Sequence, residues 1–257
     1  MPVHVRRTVL LAGLFLSPVV TTLAEPVAVR YLQGSTHGFL TLKTLEGKTI
    51  ASGEVTQTVR GTTVSSRFTL RFKDGSVDAE QTVFTQRGVF RLVSDHHTQH
   101  GPSFPKPIDV AIDVATGTVT TREKDGSTRQ DHLDIPPDVA NGLPPNLLLN
   151  ILTSAPETKV SYIAPGTKPR LVHLSIKPEA EVTFTAGSVR HKAMDYRIHV
   201  ELGGVAGVVA PMVGKQPADY HIWIAAGAPP FFLREEGPLY EGGPIWRIEQ
   251  TSPSLRP

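Results

Sequence analysis

Arg67-Phe68-Thr69-Leu70-Arg71-Phe72-Lys73-Asp74-Gly75-Ser76-Val77-Asp78 is the stretch that decides the fold. Phe68, Leu70 and Phe72 alternate with Arg67, Thr69 and Arg71, and a period of two is the mark of a strand with one dry and one wet face. Asp74-Gly75 then breaks the alternation with a pair suited to a tight hairpin, since glycine tolerates the positive φ such turns demand. Glu46-Gly47 and Arg87-Gly88 divide the rest of Gly38 to His100 in the same way. The pattern continues through Ile108 to Val114, Val119 to Arg122 and Thr128 to Leu133, with turns at Thr116-Gly117 and Asp125-Gly126. From Lys159 it resumes through Val172 to Ile176, Glu181 to Thr185, Tyr196 to Leu202, Tyr220 to Ala225, Phe231 to Arg234 and Ile245 to Glu249.

One segment departs from this rhythm. Pro144-Pro145-Asn146 opens the run Leu147-Leu148-Leu149-Asn150-Ile151-Leu152, which predicts a helix near 145–153 that Pro156 must stop. Almost no wet face is left to it, so it belongs inside, plugging an end or the concave side of the sheet. The expected fold is therefore mostly β: a large curved antiparallel sheet, an open or half barrel, with one short buried helix. No long polar or Ser-rich linker separates the two halves, which favours a single β domain over 25–257 rather than two consecutive units.

The first 24 residues read as a signal peptide. Arg6 and Arg7 form a positive n-region, Val9 to Leu16 an apolar run, and Thr22-Leu23-Ala24 a cleavage site before Glu25. The apolar run is too short to span a bilayer. The arginine pair also permits twin-arginine export, although the ordinary route is the better match. With no cysteine in 257 residues, disulfides, thiolate metal sites, a cysteine nucleophile and a lipidated cysteine are all excluded. A bacterial periplasm or exterior is the expected compartment. Removal of Arg6 and Arg7 brings the formal charge from +2 to zero, which argues against an electrostatic nucleic-acid binder.

If Asp74-Gly75 and Arg87-Gly88 are two-residue turns, counting places Arg71, Asp78 and His97 in one wet row. The other face then carries Phe68, Leu70, Phe72, Val77 and Leu92 together with the polar Gln81, Ser94, His96 and Thr98. Polar groups on a dry face need partners, whereas a cavity can give them water or a ligand. Gln81, Ser94, His96, Phe68, Leu70 and Leu148 are the candidate ligand-binding residues on this count.

Other motifs carry less. In Asp95-His96-His97-Thr98-Gln99-His100, adjacent imidazoles on a strand point to opposite faces, and His96 and His100 lie about 13 Å apart, too far to share one ion. Gly101-Pro102-Ser103-Phe104-Pro105 lacks the second glycine of a nucleophile elbow. The glycines of Leu202 to Gly207 and Gly214-Lys215 match neither phosphate-loop nor dinucleotide spacing, although Lys215 could hold an anion at the sheet rim. No metal and no cofactor is expected. Trp223 and Trp246 read first as core, and otherwise as an aromatic wall for a lipid or glycan.

Taken together, Asp95-His96-His97, Gln99, Gly101-Pro102, Phe104-Pro105, Ile108-Asp109, Asn141-Gly142, Gly214-Lys215-Gln216-Pro217 and Gly243-Pro244-Ile245-Trp246 resemble an uncharacterised type of secreted bacterial β protein. That resemblance implies no activity and no catalytic residue. It implies an architecture similar to the curved half-barrels of periplasmic lipid and lipoprotein carriers, an analogy of fold alone. The leading expectation is a non-enzymatic envelope protein sheltering an apolar or amphipathic, lipid-like ligand in the concavity of its sheet. The rivals are an exported hydrolase, metal-assisted or not, using His96, His100 or His132, and an interaction scaffold with no pocket.

Overall fold

The computed structural model describes residues 24–166, 168–186, 189–203 and 216–251. The expected signal peptide, and Lys215 with most of its glycine-rich neighbourhood, lie outside them. The first half forms β1 (Thr36–Thr44), β2 (Thr49–Arg60), β3 (Thr63–Phe72), β4 (Val77–Arg87), β5 (Val89–His100), β6 (Ile108–Asp113), β7 (Thr118–Arg122) and β8 (Thr128–His132). A short helix, α1 (Pro144–Leu148), precedes β9 (Thr158–Ala164), β10 (Arg170–Ala186), β11 (Val189–Glu201), β12 (Tyr220–Ala225), β13 (Phe231–Pro238) and β14 (Ile245–Gln250). No helix among the described residues is long and apolar enough to cross a membrane.

All 14 strands join one sheet in the order β8-β7-β6-β5-β4-β3-β2-β1-β14-β13-β12-β11-β10-β9. Each strand is antiparallel to its neighbours, and β1 pairs with β14 near the middle. The two edges, β8 and β9, are consecutive in sequence but do not pair with each other, so the sheet is not closed into a barrel. The single curved sheet expected from the sequence is the one observed.

The connection across the seam does the work of a missing strand. Ala140 N–H donates to Ser161 O at 2.9 Å. Asp138 Oδ2 accepts from Ser161 N–H at 2.8 Å, and the Asn141 carboxamide exchanges two bonds with the backbone of Ile163. Side chains thereby satisfy edge groups that would otherwise invite another chain.

Helix α1 is shorter than the predicted 145–153, because Asn150 bonds outside the helical ladder. Its Oδ1 accepts from Arg30 N–H and Tyr31 N–H, while its Nδ2 donates to Asn146 O. Leu143, Leu147 and Leu148 are buried within one cluster that also includes Phe84, Phe90, Leu92, Val110 and Ile112 from one wall and Val160, Leu174, Ile176, Tyr196 and Ile222 from the other. Tyr196 Oη donates to Ile151 O at 3.2 Å. A second cluster, Leu40, Leu42, Leu70, Phe72, Phe104 and Ile248, fills the curl around β1.

The face assignments need two corrections. The β3–β4 turn has three residues, not two: Phe72 N–H donates to Ser76 O, and Gly75, at φ +87°, closes onto Phe72 O. Leu70 therefore stands opposite Asp78, and Gln81 faces out. In β5, Val93 is an unmatched residue between the pairs Phe84–Leu92 and Val83–Ser94. This bulge leaves Leu92 facing in but turns Ser94 and His96 out, and Asp95, His97 and Gln99 in.

Gly142 links seam and sheet. At φ +66°, its missing Cβ would collide with Thr82 Oγ1 and come within 2.8 Å of Asp95 Oδ1. Gly47 has a similar φ but open space around it. Replacing Gly47 by alanine is expected to cost about 1 kcal/mol of backbone strain. Gly142→Ala should add overpacking, for about 2–4 kcal/mol in all. Chemical denaturation of both variants checks the contrast, and equal losses would contradict the contact.

Candidate functional site

Aligning the strands by register gives interior rows that run across four of them. One row is Leu70, Asp78, Gln99 and Ile108; the next is Phe68, Glu80, His97 and Val110; the third is Ser66, Thr82, Asp95 and Ile112. A band of acids and one imidazole on β4 and β5 thus lies between apolar side chains of β3 and β6. From the opposite wall comes Glu235, whose cross-strand neighbours are Ile222 and Ile248. It too is turned inward by a bulge. Phe232 pairs with Ile224 and Arg234 with Trp223, leaving Leu233 unmatched, so Phe232 and Glu235 share the inner face although three positions apart.

Some of these groups serve each other. His97 Nε2 donates to Asp78 Oδ1 at 2.8 Å, Thr82 Oγ1 donates to Asp95 Oδ1 at 2.9 Å, and Gln99 Nε2 crosses to Leu239 O at 2.8 Å. Glu80 and Glu235 are different: among the described residues no hydrogen bond reaches either carboxyl. The second oxygen of Asp95, a residue 4% exposed, has no protein partner among them either. Asp95 is buried, whereas Glu80 and Glu235 are half-buried, and carboxyls in that condition call for water, a proton or a ligand.

The electrostatics follow from burial at close quarters. Burial first, then the charges of Asp95, Asp78 and Glu235, hold Glu80 well above the usual carboxylate range. Burial likewise raises Asp95 against the opposing effect of the Thr82 hydroxyl, and lifts Glu235 from 4.5 to about 7 with help from Asp78. For His97 burial acts downward, but the bond to Asp78 and the charges of Glu80, Asp78 and Asp95 outweigh it and raise the imidazole to about 9. Tyr162 and Tyr220, both pushed upward by burial and then by nearby acids, keep their phenolic protons as donors.

A narrow cleft opens onto this band. Glu80, Asp95, His97, Asn141 and Tyr162 line its polar part, and Ile108, Val110, Ile112, Ile163 and Pro165 its apolar part. It has about 280 Å³ of free space with its open mouth counted, yet leaves only about 10 Å³ for the centre of a water-sized group, close to the room one water needs.

The six candidates from the sequence divide between the faces. Phe68 and Leu70 lie in the interior rows and belong to the cluster around β1, whereas Leu148 is buried in the other core cluster. Gln81 and His96 are exposed on the outer face and Ser94 is half-buried there. These three still come together, with Asp113, Thr118 and Thr120, around an open groove on the outer face. His96 pairs with Asp109 at 2.8 Å, whereas His100 and His132 stand exposed on β5 and β8. Among the described residues, three metal-capable side chains converge within 4.8 Å at Glu179, Asp195 and His221, and none of the three histidines singled out in the sequence belongs to that group. There Arg197 already pairs with Glu179. Trp223 is buried, stacked on His221 with Arg234 3.9 Å over its ring, and Trp246 packs on Phe72.

Alternation alone could have found Glu80, which shares its face with Phe84. Asp95 and Glu235 lie beyond bulges, and no local pattern marks either.

Stability should depend on pH with one sign. A raised carboxyl keeps its proton in the folded chain after the unfolded chain has lost it, so Glu235 withdraws stability as pH climbs from 4.5 through about 7. Glu80 and Asp95 act likewise, and His97 withdraws its contribution between 6.5 and about 9. The melting temperature is expected to fall by on the order of 5 °C or more between about pH 5 and about pH 9. In the Glu80→Gln/Glu235→Gln double variant this slope should flatten; an unchanged slope in thermal melts would disprove the assignment.

No family model matches the chain, and no curated protein matches it. Among solved structures, it is similar to a β-barrel-like protein of the domain of unknown function DUF1849 from Brucella abortus, at 10% identity and a TM-score of 0.46, over 84% of this chain and 95% of that one.

Proposed function

We propose that this is an exported, non-enzymatic binding protein that holds the polar end of an amphipathic small molecule in the cleft between β4–β6 and β9. The observation that carries the reading is the pair of unpartnered interior carboxyls, Glu80 and Glu235, with Glu80 lining a cleft whose other wall is aliphatic. A polar end and an apolar side in one slot are what an amphiphile matches. The slit between β8 and β9 supports it further, because no ladder of strand pairing joins β6–β8 to β9. A slim tail can then leave the cleft past Ile108 and Pro165. Gln81, Ser94 and His96, on the outer face, have no part in this site.

Titration with the neutral, polarity-sensitive dye N-phenyl-1-naphthylamine tests the reading. One saturable site is expected, with binding weakened at least tenfold by Ile108→Trp, which narrows the mouth, and unchanged by a Gln81→Ala/Ser94→Ala/His96→Ala variant. Absence of saturable binding would remove the proposal, and loss of binding in the triple variant alone would move the site to the outer groove.

A further inference from the structure

The charges around the cleft narrow its occupant further, an inference that rests on the binding reading above. Its polar part offers acceptors in excess: the carboxyl of Glu80, the free oxygen of Asp95, and the phenolic oxygen of Tyr162. The one cationic side chain there, His97, is already committed to Asp78. Neither lysine nor arginine lines the cleft. A carboxylate, sulfate or phosphate head would enter a region where acids already repel one another, with no cation to receive it. A neutral alcohol would satisfy one acceptor but carries no charge to favour the ionised acids.

We propose that the head group taken by this cleft is a primary ammonium, held by Glu80 and Asp95 with the Tyr162 ring beside it. An ammonium is close to water in size and carries three donors, which suits a slot with room for one water-sized group. Burying it is tolerated because its charge favours the ionised form of Glu80 and Asp95, which release their protons to solvent as it binds and then supply the opposite charge. A bare metal ion is the poorer occupant: among the described residues, no three side chains of the cleft bring ligand atoms as close together as Glu179, Asp195 and His221 do on the outer face.

Calorimetric titration of the purified protein with decylammonium, 1-decanol and decanoate below their aggregation limits separates the possibilities. Decylammonium is expected to bind at least tenfold more tightly than 1-decanol, and decanoate most weakly. Glu80→Gln keeps the shape of the side chain and should erase the preference for the amine, while His96→Ala leaves it intact. Thermal melting confirms that Glu80→Gln is folded; if it is not, competition by ethylammonium against the wild-type complex gives the same answer, displacement supporting ammonium recognition and its absence opposing it. Equal binding of all three chains would overturn the ammonium assignment and leave the cleft as a binding site. Failure of all three to bind would overturn both.

Discussion

A strand has only two faces, so one inserted residue transfers everything beyond it from one side of the sheet to the other. Three such insertions build the interior of this protein. The third residue of the turn at Lys73 to Gly75 brings Asp78 and Glu80 inside, the bulge at Val93 does the same for Asp95 and His97, and that at Leu233 for Glu235. Each is local and inexpensive in backbone terms. Together they converge four acids and one imidazole on a space that simple alternation would have lined with Val77, Gln81, Ser94 and His96.

That convergence is held open by packing around it. The connection between β8 and β9 supplies both the leucines that seal the core and the polar side chains that close the β9 edge. Gly142 stands where the two tasks meet, against the Thr82–Asp95 pair. The seam segment thus bonds to the β9 edge on one side and packs against the acid band on the other. A fully paired barrel would have no such insert.

The energetic character of the interior follows. Charges buried without full hydrogen bonding are expensive, and the chain answers with one ion pair, His97 with Asp78, and with carboxyls that retain protons near neutrality. A protein built for stability alone would place aliphatic residues at Glu80 and Glu235, as it does at Ile222 and Ile248 on either side of Glu235.

Much of the architecture was legible in the residues. The alternation of Phe68, Leu70 and Phe72, the glycine pairs at the turns, and the proline-led leucine run led to one curved antiparallel sheet with a short buried helix, because those signals depend only on neighbours in the chain. The face on which Gln81, Ser94 and His96 lie was not legible, since Asp74-Gly75 fits a two-residue and a three-residue turn alike and nothing near Val93 announces a bulge. The inward turn of Glu235 depends on pairing with β12 and β14, strands separated from it by loops. Strand identity was settled by local period, whereas the side of the sheet that carries the chemistry was decided by long-range hydrogen bonding that only the folded structure contains.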